Sequence, residues 1–299
     1  MSLRFGLFGT GYWAAEVHGA GLAAHPDADL VGVWGRDPAK ADVLAERFGV
    51  RRYDEVDALI ADVDAIAVAL PPDVQAPIAE RAAEAGRHLL LDKPIALDVA
   101  AADRVVAAAE RTAVSSVVFF KRYFPDVEAF LAECATKRWD GSRVTMFGSI
   151  FQPGNPFGES PWRRQHGGLW DVGPHAVALI LPVLGPVVAV AALDGPHQTT
   201  HVLLRHTSGA VSTLSLTVDA PAAAVTREVV FYGDDGVATM PDGETSRLEA
   251  FAVAVSQLVE NVAAGEPSHR CDVRFGRDVV AILAAAEAAS RTGTTQLNV

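Results

Sequence analysis

The amino-acid sequence predicts two domains: an α/β domain with a doubly wound parallel sheet, then an α+β domain with a large, mostly antiparallel, open-faced sheet. The chain has 299 residues. A domain with a single hydrophobic core is usually smaller than this. Residues 1–121 alternate strand-like and helix-like segments, whereas residues 122–299 are mostly strand-like and return to helix near the end. We therefore place the domain boundary after residue 121.

Short apolar runs separated by Ala-rich amphipathic stretches make up residues 1–121. This alternation is typical of βαβ units, whose parallel strands are buried on both faces and are rich in Val, Ile, Leu and Phe. The predicted strands are Arg4–Phe8, Asp29–Trp34, Ala65–Ala69, His88–Leu91 and Ser116–Phe120. The predicted helices are Trp13–Ala24, Pro38–Phe48, Val74–Ala85 and Val99–Arg111.

Tight turns connect several strand-like runs in residues 122–299. Ser208-Gly209 and the turn Gly233–Gly236 each join two such runs, which indicates hairpins and an antiparallel meander. The predicted strands are Val144–Phe151, Val187–Leu193, His201–His206, Ala210–Val218, Glu228–Tyr232 and Val237–Met240, and the predicted helices are Leu248–Ala264 and Val273–Arg291. The uncharged run Ala176–Leu193 is long enough to suggest a membrane span. Because Pro182 and Pro186 interrupt it, we expect a buried helix followed by a buried strand instead.

The composition excludes several classes of partner. The formal net charge is −12 and the isoelectric point is about 5.1, so the surface repels nucleic-acid phosphates and anionic membranes. The two cysteines, Cys134 and Cys271, lie far apart without metal-ligand spacing. This predicts free thiols in a reducing cytoplasm and no metal site, and the alternative is a single disulfide between the two cysteines. No basic leader precedes the first apolar run, so we expect no signal peptide.

The segment Gly9-Thr10-Gly11-Tyr12-Trp13-Ala14 follows the first predicted strand and begins the first predicted helix. In this position the first glycine permits a tight turn, and the second lets the backbone approach a pyrophosphate. Alanine replaces the third glycine, where helix and strand pack closely. The amide groups of the helix N-terminus add partial positive charge. The pattern therefore predicts a dinucleotide-binding Rossmann turn.

The end of the second predicted strand bears on the choice between NADP and NAD. NAD enzymes usually place an acidic residue there, which accepts hydrogen bonds from the ribose. Here Gly35 leaves room for a 2′-phosphate, and Arg36 offers a guanidinium to bind it, with Lys40 one helical turn further on. The sequence therefore favours NADP. The alternative is that Arg36 is a solvated turn residue and that Asp37 caps the helix that follows.

Two further motifs indicate a catalytic site. Leu91-Asp92-Lys93-Pro94 follows the fourth predicted strand, at the edge where such sheets bind ligands. Gly167-Gly168-Leu169-Trp170-Asp171-Val172-Gly173-Pro174-His175 leads into the helical run 176–184. With the loop Leu70-Pro71-Pro72 after the third strand, these motifs resemble the signatures of the glucose–fructose oxidoreductase / inositol dehydrogenase (Gfo/Idh/MocA) family. The resemblance extends over nearly the whole chain.

The resemblance implies specific roles. Lys93, Asp171 and His175 match the family's catalytic residues. Cofactor contacts are expected, besides the glycine turn and the Gly35 region, from Leu70, Pro71, Pro72, Gln75, Asp92 and Lys93. We also place substrate contacts at Tyr123, Trp162, Arg163 and Trp170. Independently of the family, hydride transfer from an alcohol needs a group that takes up the hydroxyl proton, and lysine and histidine suit that task.

Some positions depart from the family's pattern. Asp92 replaces a glutamate, Gln75 stands where histidine is common, and Ala178 where aspartate is frequent. Trp170 adds bulk beside Asp171. These departures indicate a pocket unlike that of a typical polyol dehydrogenase.

The leading functional hypothesis is an NAD(P)-dependent oxidoreductase acting on a CH–OH or carbonyl group of a sugar, cyclitol or related small molecule. One alternative is a redox-neutral hydrolase or lyase that uses bound nicotinamide transiently; another is a non-catalytic dinucleotide sensor. Net turnover of the cofactor would distinguish the oxidoreductase from the redox-neutral enzyme. A sensor would be expected to have lost Lys93 or His175. We further expect a cytoplasmic homodimer or homotetramer that associates through the C-terminal sheet.

Overall fold

The computed structural model describes residues 2–243, 245–292 and 294–296. The strands are β1 (Leu3–Phe8), β2 (Ala28–Trp34), β3 (Arg51–Arg52), β4 (Ala65–Val68), β5 (His88–Asp92), β6 (Ser116–Phe119), β7 (Gly141–Phe147), β8 (Val187–Gly195), β9 (Thr199–His206), β10 (Val211–Thr217), β11 (Thr226–Gly233), β12 (Gly236–Thr239) and β13 (Thr294–Gln296). The α-helices are α1 (Ala20–Ala24), α2 (Pro38–Phe48), α3 (Val56–Ala61), α4 (Pro72–Glu84), α5 (Val99–Thr112), α6 (Pro125–Cys134), α7 (Pro161–Asp171), α8 (Gly173–Leu184), α9 (Arg247–Ala264) and α10 (Val273–Thr292).

The chain divides into two compact units. The first comprises Met1–Phe124 and Thr245–Arg277, and the second comprises Pro125–Glu244 and Asp278–Val299. The first unit therefore takes in a segment that the predicted boundary after residue 121 assigns to the second domain. Helix α9 explains the difference, because it packs against α1 and β6 within the first unit. Its Phe251 ring fits against Gly21, where a Cβ would lie 2.4 Å from the ring.

The first unit is built on a six-stranded sheet in the order β3-β2-β1-β4-β5-β6, with all strands parallel. This is the order of a dinucleotide-binding Rossmann sheet, in which the strand order reverses beside β1. Strands β4 and β6 are buried along their whole length, as expected of parallel strands covered on both faces. All the predicted strands and helices of this region are confirmed, although their ends shift by a residue or two.

One predicted helix of the first unit has an unexpected form. The run Trp13–Ala24 begins as a π-helical segment, Ala14–Gly19, before it continues as α1. Gly19 lies against Phe48, where a Cβ would be 2.5 Å from the ring. π-Helical turns are rare in proteins, and those that occur often lie at functional sites. The short strand β3 and helix α3 had no predicted counterpart.

The second unit contains a seven-stranded sheet in the order β12-β11-β7-β10-β9-β8-β13. Strands β8, β9 and β10 form the expected antiparallel meander, and β11 pairs with β12 as a hairpin. The predicted meander is wrong at one place, because β7 inserts between β10 and β11 and runs parallel to β10. The sheet is thus mixed, though mostly antiparallel. Helices α6 and α7 were not predicted.

The long apolar run of the second unit is part of its core. Residues 176–193 form most of α8 and most of β8, as predicted. By length and composition alone, Pro161–Leu184 would pass for a membrane span, but 72% of its most apolar 18-residue stretch is buried inside the protein. That burial is expected of a core helix.

Candidate functional site

The glycine turn follows β1 and leaves backbone accessible. Gly9 has a φ of 133°, and a Cβ there would lie 2.5 Å from the carbonyl oxygen of Ala69. The turn therefore requires glycine, both for its dihedral angle and for its approach to the end of β4. Gly11 is exposed, and a Cβ there would meet no atom within 4 Å. The space beside its backbone suits a ligand such as a pyrophosphate.

The tip of β2 lies beside the glycine turn. A Cβ at Gly35 would be 2.3 Å from Cγ2 of Thr10, so this position holds no acidic side chain unless Thr10 moves. Asp37 caps α2, accepting hydrogen bonds from the amides of Ala39 (3.1 Å) and Lys40 (3.3 Å). The helix cap predicted for Asp37 is thus confirmed. Arg36 is exposed, outside the helix that Asp37 caps.

A clamp holds the backbone around Lys93 at the end of β5. The side chain of Gln75, fully buried on α4, donates to the carbonyl oxygens of Asp92 (2.7 Å) and Pro94 (3.0 Å) and accepts from the amide of Asp92 (3.1 Å). One carboxylate oxygen of Asp92 accepts from the amide of Lys93 (2.7 Å). The Lys93-Pro94 peptide bond is cis. Lys93 itself is half-buried.

This clamp gives Gln75 a structural role that the sequence did not indicate. Both ends of its amide group are committed to the backbone of the Lys93 loop, and none of its surface is exposed. Gln75 therefore positions the loop, and its contact with a cofactor stays a prediction. The rest of the predicted cofactor set follows β1, β2, β4 and β5, which are neighbours in the sheet. The structure thus brings the glycine turn, Gly35, the Leu70–Pro72 loop and Asp92-Lys93 to one edge.

In the second unit, two glycines bring the end of α7 against the sheet. Gly167 has a φ of 61° and a ψ of −159°, which breaks the helix between Pro161 and Asp171. A Cβ at Gly168 would lie 2.4 Å from Cα of Thr217 on β10. Asp171 ends α7 and is 8% exposed, and α8 begins at Gly173, three residues before the predicted helical run. His175 lies in the first turn of α8 and is half-buried.

Known protein families match both units. A family model described as "Oxidoreductase family, NAD-binding Rossmann fold" matches residues 3–120, and the "GFO/IDH/MocA C-terminal domain" matches residues 142–239. The chain belongs to the GFO/IDH/MocA family. The predicted resemblance is therefore confirmed, and with it the Rossmann fold.

Relatives of the chain within the GFO/IDH/MocA family include named sugar and cyclitol enzymes. Inositol 2-dehydrogenase of Rhizobium meliloti is 36% identical over 42% of the chain, a match that spans only 38% of that enzyme. A dTDP-3,4-didehydro-2,6-dideoxy-alpha-D-glucose 3-reductase of Streptomyces antibioticus is 28% identical over 78% of the chain and 74% of its own length.

Solved structures cover the chain more fully. GenD2 from gentamicin A biosynthesis, in complex with NAD, has a TM-score of 0.86 and 25% identity, over 100% of this chain and 97% of that one. A myo-inositol dehydrogenase from Corynebacterium glutamicum has a TM-score of 0.83 over 100% of both chains, at 19% identity, and shares the fold.

Two residues predicted to contact substrate lie in the core. Tyr123 is 1% exposed in the first unit and stacks on His269 at 6.1 Å between ring centroids. Trp170 is also 1% exposed, in the second unit, and donates its indole N–H to Glu287 (3.3 Å). Each ring fills its own unit's interior, and the substrate contacts of both stay predictions. Trp162 and Arg163 remain half-buried on α7.

Two buried or half-buried groups have roles that the sequence did not indicate. His18, in the π-helical segment, is fully buried, and neither ring nitrogen has a hydrogen-bond partner among the described residues. Burial lowers the pKa of His18 to about 3. Its Nε2 lies 3.8 Å from the second carboxylate oxygen of Asp92. The other group is Arg163, whose Nε donates to Asp171 at 3.1 Å. No sequence spacing shows either contact, because the first joins distant segments of the first unit and the second depends on the break in α7 at Gly167.

Proposed function

We propose that the protein is an NAD(P)-dependent oxidoreductase that transfers a hydride between nicotinamide and a hydroxyl-bearing or carbonyl carbon of a sugar, cyclitol or related small molecule. One observation carries the proposal: an open glycine turn after β1 and a half-buried Lys93 after β5 lie at the same edge of one parallel sheet. Doubly wound sheets bind dinucleotides at this edge. The names of the relatives support a sugar or cyclitol substrate.

The residues of the chain would handle the proton in this reaction. Bound nicotinamide would accept or donate the hydride. Oxidation of a CH–OH group also releases the hydroxyl proton, and reduction of a carbonyl consumes one. We assign that proton transfer to Lys93 and His175, and we assign to Asp171 the task of accepting a hydrogen bond from the substrate hydroxyl. The backbone of Lys93 is already fixed by Asp92 and by the Gln75 clamp.

The tip of β2 supports a preference for NADP. Thr10 fills the space where an acidic ribose-binding side chain would extend from position 35. The carboxylate of Asp37 is occupied by the amides of α2, whereas Arg36 is exposed. A guanidinium at that tip suits a 2′-phosphate. Lys40, whose Nζ lies 4.0 Å from Asp37, would add a second cation.

Calorimetric titration with NADPH and NADH tests the cofactor preference. Arg36→Ala should weaken NADPH binding about tenfold or more, because a lost hydrogen bond to a charged group costs roughly 1.5–3 kcal/mol, and should leave NADH binding nearly unchanged. Arg47→Ala, which removes an exposed arginine paired with Glu16 at the other end of α2, is the control and should change neither. Tighter binding of NADH by the unaltered protein would overturn the preference.

We also propose a cellular location and an oligomeric state for the protein. Cys134 and Cys271 are both buried and are not joined in a disulfide, which supports a reducing, cytoplasmic location. Large apolar side chains protrude from the second unit's sheet, among them Leu193 (67% exposed), Leu203 (51%) and Val237 (71%). Covering such a surface favours association of two copies through the sheets. We therefore propose a homodimer or homotetramer.

A panel of sugars, cyclitols and their keto derivatives, followed at the nicotinamide absorbance, tests the activity. The proposal requires cofactor turnover with at least one member. Turnover of a compound without net change in the cofactor would favour the redox-neutral alternative instead.

A further inference from the structure

Arg163 and Asp171 meet only because α7 is broken between them. On a continuous helix, residues eight apart are separated by about 12 Å along the axis. Here the Nε of Arg163 lies 3.1 Å from Oδ2 of Asp171. The break at Gly167, with its positive φ, folds the first part of α7 back so that the two side chains meet.

Arg163 is held from several sides. One terminal nitrogen donates to the hydroxyl of Ser160 (3.3 Å). The guanidinium carbon lies 4.8 Å from the ring centroid of Phe157 and 4.6 Å from that of Trp162. Aromatic contacts of this kind stabilise a cation and fix a planar guanidinium. The side chains of the pair are only 20% and 12% exposed, so water screens the two charges weakly.

We propose that Arg163 is a positioning residue that holds the carboxylate of Asp171 in one orientation for the substrate hydroxyl. This inference rests on the proposed function, in which Asp171 accepts a hydrogen bond from the substrate. A guanidinium at hydrogen-bond distance from one carboxylate oxygen forms a strong, directional contact that fixes the orientation of the carboxylate. Phe157, Ser160 and Trp162 fix Arg163, and Gly167 brings it to Asp171. The Gly-Gly motif thus serves to assemble this pair.

The proposal revises the substrate contact predicted for Arg163 and Trp162. The Nε–H of Arg163 is committed to Asp171, and one terminal nitrogen to Ser160. The ring of Trp162 lies against the guanidinium. A residue that contacted the substrate directly would mainly change KM, whereas a residue that acts through Asp171 would mainly change kcat.

A double-mutant cycle tests the proposal. Arg163→Met should lower kcat about 10- to 100-fold with little change in KM, because a misplaced catalytic group costs up to about two orders of magnitude. Arg163→Lys should restore part of the loss. In an Asp171→Asn background, Arg163→Met should have almost no further effect on kcat. Arg164→Met is the matched control, because Arg164 lies on the same helix but contacts Phe151 and Gly158; its effect should add to that of Asp171→Asn.

The four proteins of the cycle, which are the unaltered protein, Arg163→Met, Asp171→Asn and the double variant, should also be unfolded in urea without any substrate. Coupling between positions 163 and 171 in stability shows that the ion pair forms, whatever reaction the protein catalyses. If the pair is coupled in stability but the two substitutions act additively on kcat, or if Arg163→Met raises KM alone, the positioning role is wrong. Absence of turnover by the unaltered protein would contradict the proposed function, while the stability cycle would still report on the pair.

Discussion

Replacing His18 by leucine should remove much of the protein's loss of stability in mild acid. Burial lowers the pKa of His18 to about 3 in the folded protein, whereas an unfolded histidine has a pKa of about 6.5. Between these values the unfolded chain binds a proton that the folded protein does not. Stability from this group is therefore complete above pH ~6.5 and falls as the pH drops towards ~3. At about 1.4 kcal/mol for each pH unit, the loss from pH ~7.5 to ~5 is about 2 kcal/mol.

Urea unfolding of both proteins across that pH range measures the difference. The slope of stability against pH should be shallower in His18→Leu, and the two curves should approach each other by about 2 kcal/mol at pH ~5. The carboxylate of Asp92, 3.8 Å from Nε2, acts in the opposite sense by favouring the protonated ring. If Asp92 prevailed over burial, the unaltered protein would gain stability relative to His18→Leu as the pH falls, and the reasoning would be refuted.

The remaining predictions concern the clamp, the sheet contact, the catalytic residues and assembly. Gln75→Leu should lower turnover and destabilise the fold by about 1–3 kcal/mol, because it leaves buried backbone groups of the Lys93 loop unpaired; equal stability in urea would contradict the clamp. Gly168→Ala should destabilise the second unit, since its Cβ would lie 2.4 Å from the backbone of β10; an unchanged melting temperature would show that the contact relaxes freely. Lys93→Ala and His175→Ala should each lower kcat by about 10²–10⁴, with NADPH binding retained by calorimetry; near-normal turnover by either would remove that residue from the proton transfer. Light scattering should find a dimer or tetramer that Leu203→Asp weakens, and a monomer at micromolar concentration would exclude the sheet interface.

Positions at which the backbone requires a particular residue could be predicted best from the sequence. The turn at Gly9 and Gly11 could be predicted because a strand, a tight turn and a helix N-terminus impose glycine at fixed positions, and the structure shows that requirement. The parallel sheet followed from the alternation of apolar runs with amphipathic helices. Strand β3 escaped notice because Arg51-Arg52 pairs through its backbone over two charged residues, so no apolar pattern marks it.

Contacts that depend on the folded path of the backbone could not be predicted in the same way. β7 pairs in parallel with β10, at one edge of the meander of β8, β9 and β10. The apolar alternation of β7 would fit equally well at the other edge, so the sequence does not show which edge β7 joins. Gln75 was expected to contact the cofactor because of its place in the chain, yet the fold turns its amide towards the loop of Lys93, seventeen or more residues away. Arg163 reaches Asp171 only through the break at Gly167.

Isotope transfer is the most direct test of the central claim that this protein moves a hydride between nicotinamide and a carbinol carbon. A substrate from the metabolite panel, carrying deuterium on that carbon, would be incubated with one equivalent of protein and oxidised cofactor. The account predicts that the deuterium appears on the nicotinamide ring in step with formation of the carbonyl product, as read by mass spectrometry. Deuterium that stays in the organic product, with the cofactor still oxidised at the end, would contradict it.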